Sequence, residues 1–287
     1  MSTRTMISFD WALKRLLRNK ANFGVLEGFL SELLLQKITI TNILESESNK
    51  DDENDKYNRV DLLVENDKKE IVIIELQFNG QNDYFQRMLY GTCKAIAERM
   101  TKGMPYSKVR KVYSINIVHF DLGTGSDYIY RGFTDFKGLH TKEELELSKE
   151  QKEVFKTTYP GDLYPEYYII KVTNFNDVAK NTLDEWVYYL KNNKIKDDFT
   201  AQGLDLAREV LAYDNLSDKE KEEYDNEVKL ARIKDSEIET ADFNARFDER
   251  FKIAKNAKAI GLSTEQIQKL TGLSKEQIQQ IQKLSEP

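Results

Sequence analysis

Apolar side chains in this chain repeat first every three to four residues, then every two, then every three to four again. Trp11, Leu13, Leu16 and Leu17 follow Asp10, which stands where a helix N-cap would. Phe23, Val25, Leu26, Phe29, Leu30, Leu33 and Leu34 keep the same helical spacing, so the chain is predicted to open with two helices. Ile38 to Leu44 reads as a strand, and the charged stretch from Glu45 to Lys56 as a loop or hairpin tip. Two β-branched runs, Arg59 to Glu65 and Ile71 to Gln77, flank the polar turn Asn66 to Glu70 and predict a hairpin. A helix is predicted over Tyr84 to Met100, then strands over Val112 to Phe120, Tyr128 to Phe133 and Tyr167 to Val172. From about Leu183 the pattern is helical, which predicts an α/β core with an all-helical C-terminal extension.

Composition narrows the class. With 287 residues, 40% of them hydrophobic, the chain can bury a sizeable core although 32% of it is charged. The N-terminal residues lead into an amphipathic helix with no signal-peptide core, and no apolar run would span a bilayer. The one cysteine, Cys93, is expected to be a small core group, and its being single points to a reducing compartment or to no need for disulfides. These features predict a soluble cytoplasmic protein without a membrane partner. The net charge of −6 does not advertise nucleic-acid binding, so any basic surface would have to be local.

The predicted hairpin carries the candidate chemistry. Asp61 and Glu75 each interrupt an apolar strand, where a carboxylate is costly to desolvate unless it meets a cation or hydrogen-bond donors. Strand alternation puts Asp61 with Arg59 and Leu63 on one face, and Glu75 with Ile73 and Gln77 on one face. A suitable register would bring the two acids together. Such oxygen ligands suit Mg²⁺ or Mn²⁺, whereas two histidines, His119 and His140, with one cysteine leave no conventional zinc site. Two simpler readings compete: an Asp61–Arg59 ion pair within one strand, or Glu75 and Gln77 in solvent at a sheet edge. His119 reads as a strand packing residue.

The order of helix, strand with Asp61, strand with Glu75-Leu-Gln77, helix and apolar strand resembles the PD-(D/E)XK nuclease superfamily. Within it, the chain most resembles the branch of recombination-promoting nucleases and transposases, over roughly residues 8–175. Further similarities are Asp10 with Lys14, and the segment from Tyr84 through Arg87 to Tyr90. The resemblance implies a restriction-endonuclease-like core, a central mixed sheet flanked by helices. It implies Mg²⁺-dependent or Mn²⁺-dependent cleavage of DNA, with Asp61, Glu75 and the Leu76 backbone carbonyl as metal ligands. Gln77 stands where the superfamily usually has lysine and could orient a water without supplying charge. Arg87 or Lys94 could then provide the missing cation, and Glu27, Tyr90 and Lys14 are accessory candidates. The rival readings are a weak or inactive DNA-binding accessory of a mobile element, and a helix-mediated assembly protein on a nuclease-like scaffold.

A short repeat closes the chain. Gly261-Leu-Ser-Thr-Glu-Gln and Gly272-Leu-Ser-Lys-Glu-Gln each place a serine to N-cap a helix, with Gln266 or Gln277 as its capping-box partner. The two short helices resemble a helix-turn-helix with Lys275, Gln279, Gln280 and Lys283 available to a DNA groove, or form a hairpin for packing or self-association. Before the repeat, Leu230, Ile233, Ile238 and Ala241 form a narrow, imperfect apolar stripe in a highly charged stretch, which predicts a solvent-exposed helix or a helical partner surface, the C-terminal helices being the candidate route to a homo-oligomer. The expected organisation is a nuclease-like domain over 1–200, a charged helical extension over 201–260 and the helical pair over 261–287.

Overall fold

A computed structural model describes residues 6–15, 17–44 and 61–283 of the chain, with backbone alone at 280–283. The charged tip from Glu45 to Lys56, Arg59, Leu16 and the side chains of Gln280 and Lys283 lie outside the described residues. Two compact units divide the chain, Met1–Ser217 and Asp218–Pro287.

The first unit begins with α1 (Phe9–Arg15) and α2 (Phe23–Leu34). The Ser8 hydroxyl accepts from the Trp11 amide at 3.4 Å, so Ser8 stands at the start of α1 and Asp10 lies inside its first turn. The sheet comprises β1 (Ile40–Ile43), β2 (Leu62–Asn66) and β3 (Ile71–Gln77), then, after helix α3 (Tyr84–Ala97), β4 (Val112–Val118), β5 (Ile129–Gly132) and, after helix α4 (Lys149–Phe155), β6 (Glu166–Lys171). The spatial order is β1-β2-β3-β4-β6-β5. Strands β3, β4 and β6 run parallel and the other pairs antiparallel, which makes the sheet mixed. Two further helices, α5 (Thr182–Asn192) and α6 (Leu204–Val210), complete the unit.

Burial follows from this order. Strand β4 is buried throughout and β3 from Ile71 to Leu76, as the strand pattern of apolar residues without polar alternation requires of central parallel strands. One face is covered by α3, whose Ala95 and Ile96 pack on Leu63, Ile71, Ile73 and Val112, and whose Tyr84 and Met88 pack on Val118. Elsewhere Phe9, Phe29, Trp186 and Tyr189 from α1, α2 and α5 meet edge to face or tilted, with ring centroids 5.6–6.4 Å apart. Helix α2 approaches the α5–α6 loop so closely that a Cβ on Gly28 would lie 2.3 Å from the Gln202 carbonyl oxygen. Residues 201–217 therefore belong to this unit: Leu204, Ala207 and Leu211 are fully buried in it. Cys93, expected in the core, is exposed on α3. Its neighbours Thr92 and Ala95 take the buried positions on that helix.

The second unit consists of α7 (Asp218–Ala259), α8 (Thr264–Thr271) and α9 (Lys275–Lys283). Its core joins Ala254 and Ala257 of α7 to Ile267, Leu273 and Ile278, with Phe247 and Phe251 packed against them. Both repeats close as capping boxes, Ser263 with Gln266 and Ser274 with Gln277. Gly272 ends α8 at a φ of 68°, a left-handed conformation that costs glycine little. Lys275 and Gln279 are exposed.

Candidate active site

The register of the hairpin places the two acids. Leu62 pairs with Ile74 and Leu63 with Ile73, so the register one step further sets Asp61 opposite Glu75. Asp61 stands just before β2 begins, half-buried, and its Oδ2 accepts the Leu76 amide at 2.7 Å. The carboxylate thus takes the place of a strand backbone acceptor and is fixed against β3. The N–H and C=O of an extended residue point the same way, so the Leu76 carbonyl is directed to the same side. Arg18 donates to the Asp61 carbonyl at 2.6 Å and ties the α1–α2 connection to this point.

Glu75 lies on a central strand with 8% of its surface exposed, which excludes the sheet-edge reading. Tyr84 at the start of α3 donates its hydroxyl to Glu75 Oε2 at 3.4 Å, and Arg87 Nε stands 4.0 Å from the same oxygen. Tyr84 also reaches Asn116 Oδ1 at 3.3 Å, while the Asn116 amide is held by Ser114 Oγ at 3.0 Å. Asn116 pairs in register with Glu75 and is fully buried, so a polar row crosses the sheet from Asp61 through Glu75 to Asn116.

The electrostatics follow from this enclosure. Burial pushes the Glu75 carboxyl up to about 7, and Asp61 raises it further while Arg87 and the Tyr84 hydroxyl oppose the shift. Burial also raises Asp61, against the Leu76 amide bond, with Asp10 adding to the rise and Lys14 and Arg87 countering it. Two carboxylates thus face each other out of bulk water, with Arg87 Nε 4.0 Å from Glu75 among the described residues.

The sequence-derived candidates divide sharply. Asp61, Glu75, Leu76 and Arg87 converge, and Lys14 joins them through its 2.8 Å ion pair with Asp10 and its influence on Asp61. Gln77 is half-buried at the end of β3, its side-chain amide donating to the Asn79 carbonyl at 3.2 Å. Lys94 sits two turns beyond Arg87 on α3, about 10 Å along the axis, and Tyr90 is 52% exposed. Glu27 is held elsewhere: its Oε1 accepts the Ile40 amide at 2.7 Å, where β1 meets Asn66 at the far end of β2 from Asp61.

Three residues of the site were not among these candidates in the sequence. Tyr84 enters the sequence reading as a helix start and as the first residue of the segment through Arg87 to Tyr90, without a role of its own, and Asn116 stands as a lone amide in an apolar strand, the one signal that could have marked it. His119, expected to pack in a strand, follows β4 and stacks on Phe78 with centroids 4.3 Å apart. Its Nε2 is buried without a hydrogen-bond partner among the described residues, and burial lowers its pKa to about 4 despite nearby Asp10.

These residues suit a hard divalent cation. Asp61 and Glu75 are oxygen donors on adjacent strands, the Leu76 carbonyl is directed toward them, and the remaining positions of an octahedral ion would be water. Among the described residues no cluster gathers three or more His, Cys, Asp or Glu side chains, so a cation here would rest on two carboxylates and backbone oxygen.

Comparison with known proteins agrees with this architecture. A family described as PD-(D/E)XK nuclease family transposase matches residues 7–241, from just before α1 into α7. No curated protein and no solved structure matches the chain. The mixed six-stranded sheet with flanking helices is accordingly a restriction-endonuclease-like fold. A match over most of the length, on a sheet of that kind, makes this chain a member of the PD-(D/E)XK nuclease family transposases.

Proposed function

We propose that this protein is a metal-dependent DNA endonuclease, with Mg²⁺ or Mn²⁺ held by Asp61, Glu75 and the Leu76 carbonyl. The observation that carries this reading is the facing pair, two carboxylates at the end of the β2–β3 ladder, one of them locked by the Leu76 amide. Bound there, the ion would activate a water and stabilise charge developing on the scissile phosphate.

The chain's own groups divide the remaining work. Tyr84 holds Glu75 by a 3.4 Å hydrogen bond, its single hydroxyl proton also lying within reach of Asn116 Oδ1 at 3.3 Å. Arg87, on the same helix as Tyr84, brings the positive charge that Gln77 cannot provide; its guanidinium is anchored to Gln81 at 3.2 Å and its Nε faces Glu75. That arrangement lets the scissile phosphate be neutralised from α3 and not from the end of β3. Gln77 remains able to orient a water by hydrogen bonding.

The test is supercoiled plasmid incubated with the purified protein and Mg²⁺ or Mn²⁺. Nicking that requires the metal and is lost in Asp61→Ala and Glu75→Ala supports the reading. Nicking that survives both substitutions, or none at all with either metal, overturns it. Retention of DNA without nicking would instead favour the inactive accessory.

A further inference from the structure

Helix α7 runs for 42 residues, yet every residue from 229 to 246 is exposed, about 27 Å of helix that no described residue covers. Most helices owe their stability to the packing of one face, and this stretch has no such face among the described residues. It nevertheless presents Leu230, Ile233 and Ile238 to solvent, at 65%, 46% and 44% exposure.

The order of its residues is self-complementary on reversal. Lys229, Arg232 and Lys234 make one half basic, and Glu237, Glu239 and Asp242 make the other acidic. About the point between Asp235 and Ser236, Lys234 mirrors Glu237, Arg232 mirrors Glu239 and Lys229 mirrors Asp242. Apolar positions mirror one another as well: Ile233 with Ile238, Leu230 with Ala241 and Val228 with Phe243. From Tyr224 to Phe247 no charged residue mirrors one of its own sign.

We infer that a second copy of this chain covers α7, packed antiparallel about a twofold axis that passes between Asp235 and Ser236. Leu230, Lys234, Glu237 and Ala241 follow a 4-3-4 spacing and form one stripe along the helix, which reversal maps onto itself. In that register Leu230 of one copy meets Ala241 of the other, and Lys234 meets Glu237. A twofold interface makes each contact twice, so one stripe supplies both sides. The basic half of each helix lies along the acidic half of its mate, whereas a parallel, in-register pair would stack like on like. The inference rests on the surface of α7 alone and stands or falls independently of the nuclease reading.

Charge reversal tests it on the full-length chain by sedimentation equilibrium. The unaltered protein is expected to be a dimer that weakens between 0.05 and 0.5 M salt, as screening requires. Reversing the basic half (K229E, R232E, K234E) or the acidic half (E237K, E239K, D242K) is expected to weaken the dimer roughly tenfold or more. Mixing the two variants, or combining all six reversals in one chain, should restore it, with circular dichroism checking that α7 stays helical. A monomeric unaltered protein overturns the inference, as does a dimer indifferent to both triple reversals, and so does failure of the mixture and the sixfold variant to recover.

Discussion

At the scale of single residues, Glu75 is the group whose surroundings differ most from those of a free side chain. Its folded pKa of about 7 lies above the ordinary value of 4.5, so the folded protein holds this proton more tightly than the unfolded chain does. Without metal, stability is therefore greatest below pH 4.5 as far as this group is concerned, and declines as pH rises toward 7. Glu75→Gln removes that penalty: its melting temperature should exceed that of the parent by a few degrees at pH 8 without metal, on the order expected for 1–2 kcal/mol, and the gain should vanish near pH 4.5. Calorimetry at the two pH values checks it. Arg87 carries the second prediction. Arg87→Met should slow plasmid nicking roughly 10²-fold, with Arg87→Lys recovering part and Gln77→Ala costing less. Equal losses in the Arg87→Met and Gln77→Ala variants would move the cation's role away from α3. Asp61 and Glu75 were legible in the sequence because charge inside an apolar strand needs a reason, and Gln77 through the family resemblance alone. Asn116 and His119 were not, nor was the role of Tyr84, because what marks them is proximity to residues 32 or 41 positions away.

Among the elements, β3 determines most. Reading Ile71 to Gln77 as a strand was a local matter of β-branched side chains, but its place between β2 and β4 was not local. A central position leaves no edge for Glu75 to occupy, and α3 closes the face on which it lies. The helices departed from their sequence pattern at their ends: α3 stops at Ala97, three residues early, and α1 starts behind Ser8. Helix α4, with no buried residue, left no apolar stripe to read. Gly28 offers a test of packing between elements. Any side chain there collides with backbone at Gln202 and Gly203, so Gly28→Ala should destabilise the first unit by about 1–3 kcal/mol in denaturant unfolding. A loss below about 0.5 kcal/mol would show that the α5–α6 loop yields freely.

For the molecule as a whole, a divalent cation is the partner that the proposed function requires. An ion that binds only the folded chain stabilises it with the logarithm of one plus the ratio of its concentration to its dissociation constant, and so raises the melting temperature. Mn²⁺ should therefore stabilise the parent protein, chelation should reverse this together with nicking, and Glu75→Ala should abolish the stabilisation; an undiminished shift in that variant would place the ion elsewhere. The two-unit division falls after Ser217, where the sequence reading had placed a boundary at 200, because α6 buries Leu204 and Ala207 against the first unit and composition does not report such contacts. What the sequence determined by itself was periodicity, hence the elements, the α/β class, the capped C-terminal repeat and the two misplaced acids, since each depends on neighbours within a few residues. Only the tertiary structure decided that Asp61 faces Glu75, that α3 delivers Tyr84 and Arg87 to them, and that Glu27 and Lys94 stay away. Those outcomes depend on strand register and helix placement, which are settled by burial summed over the whole core and not by any segment of it.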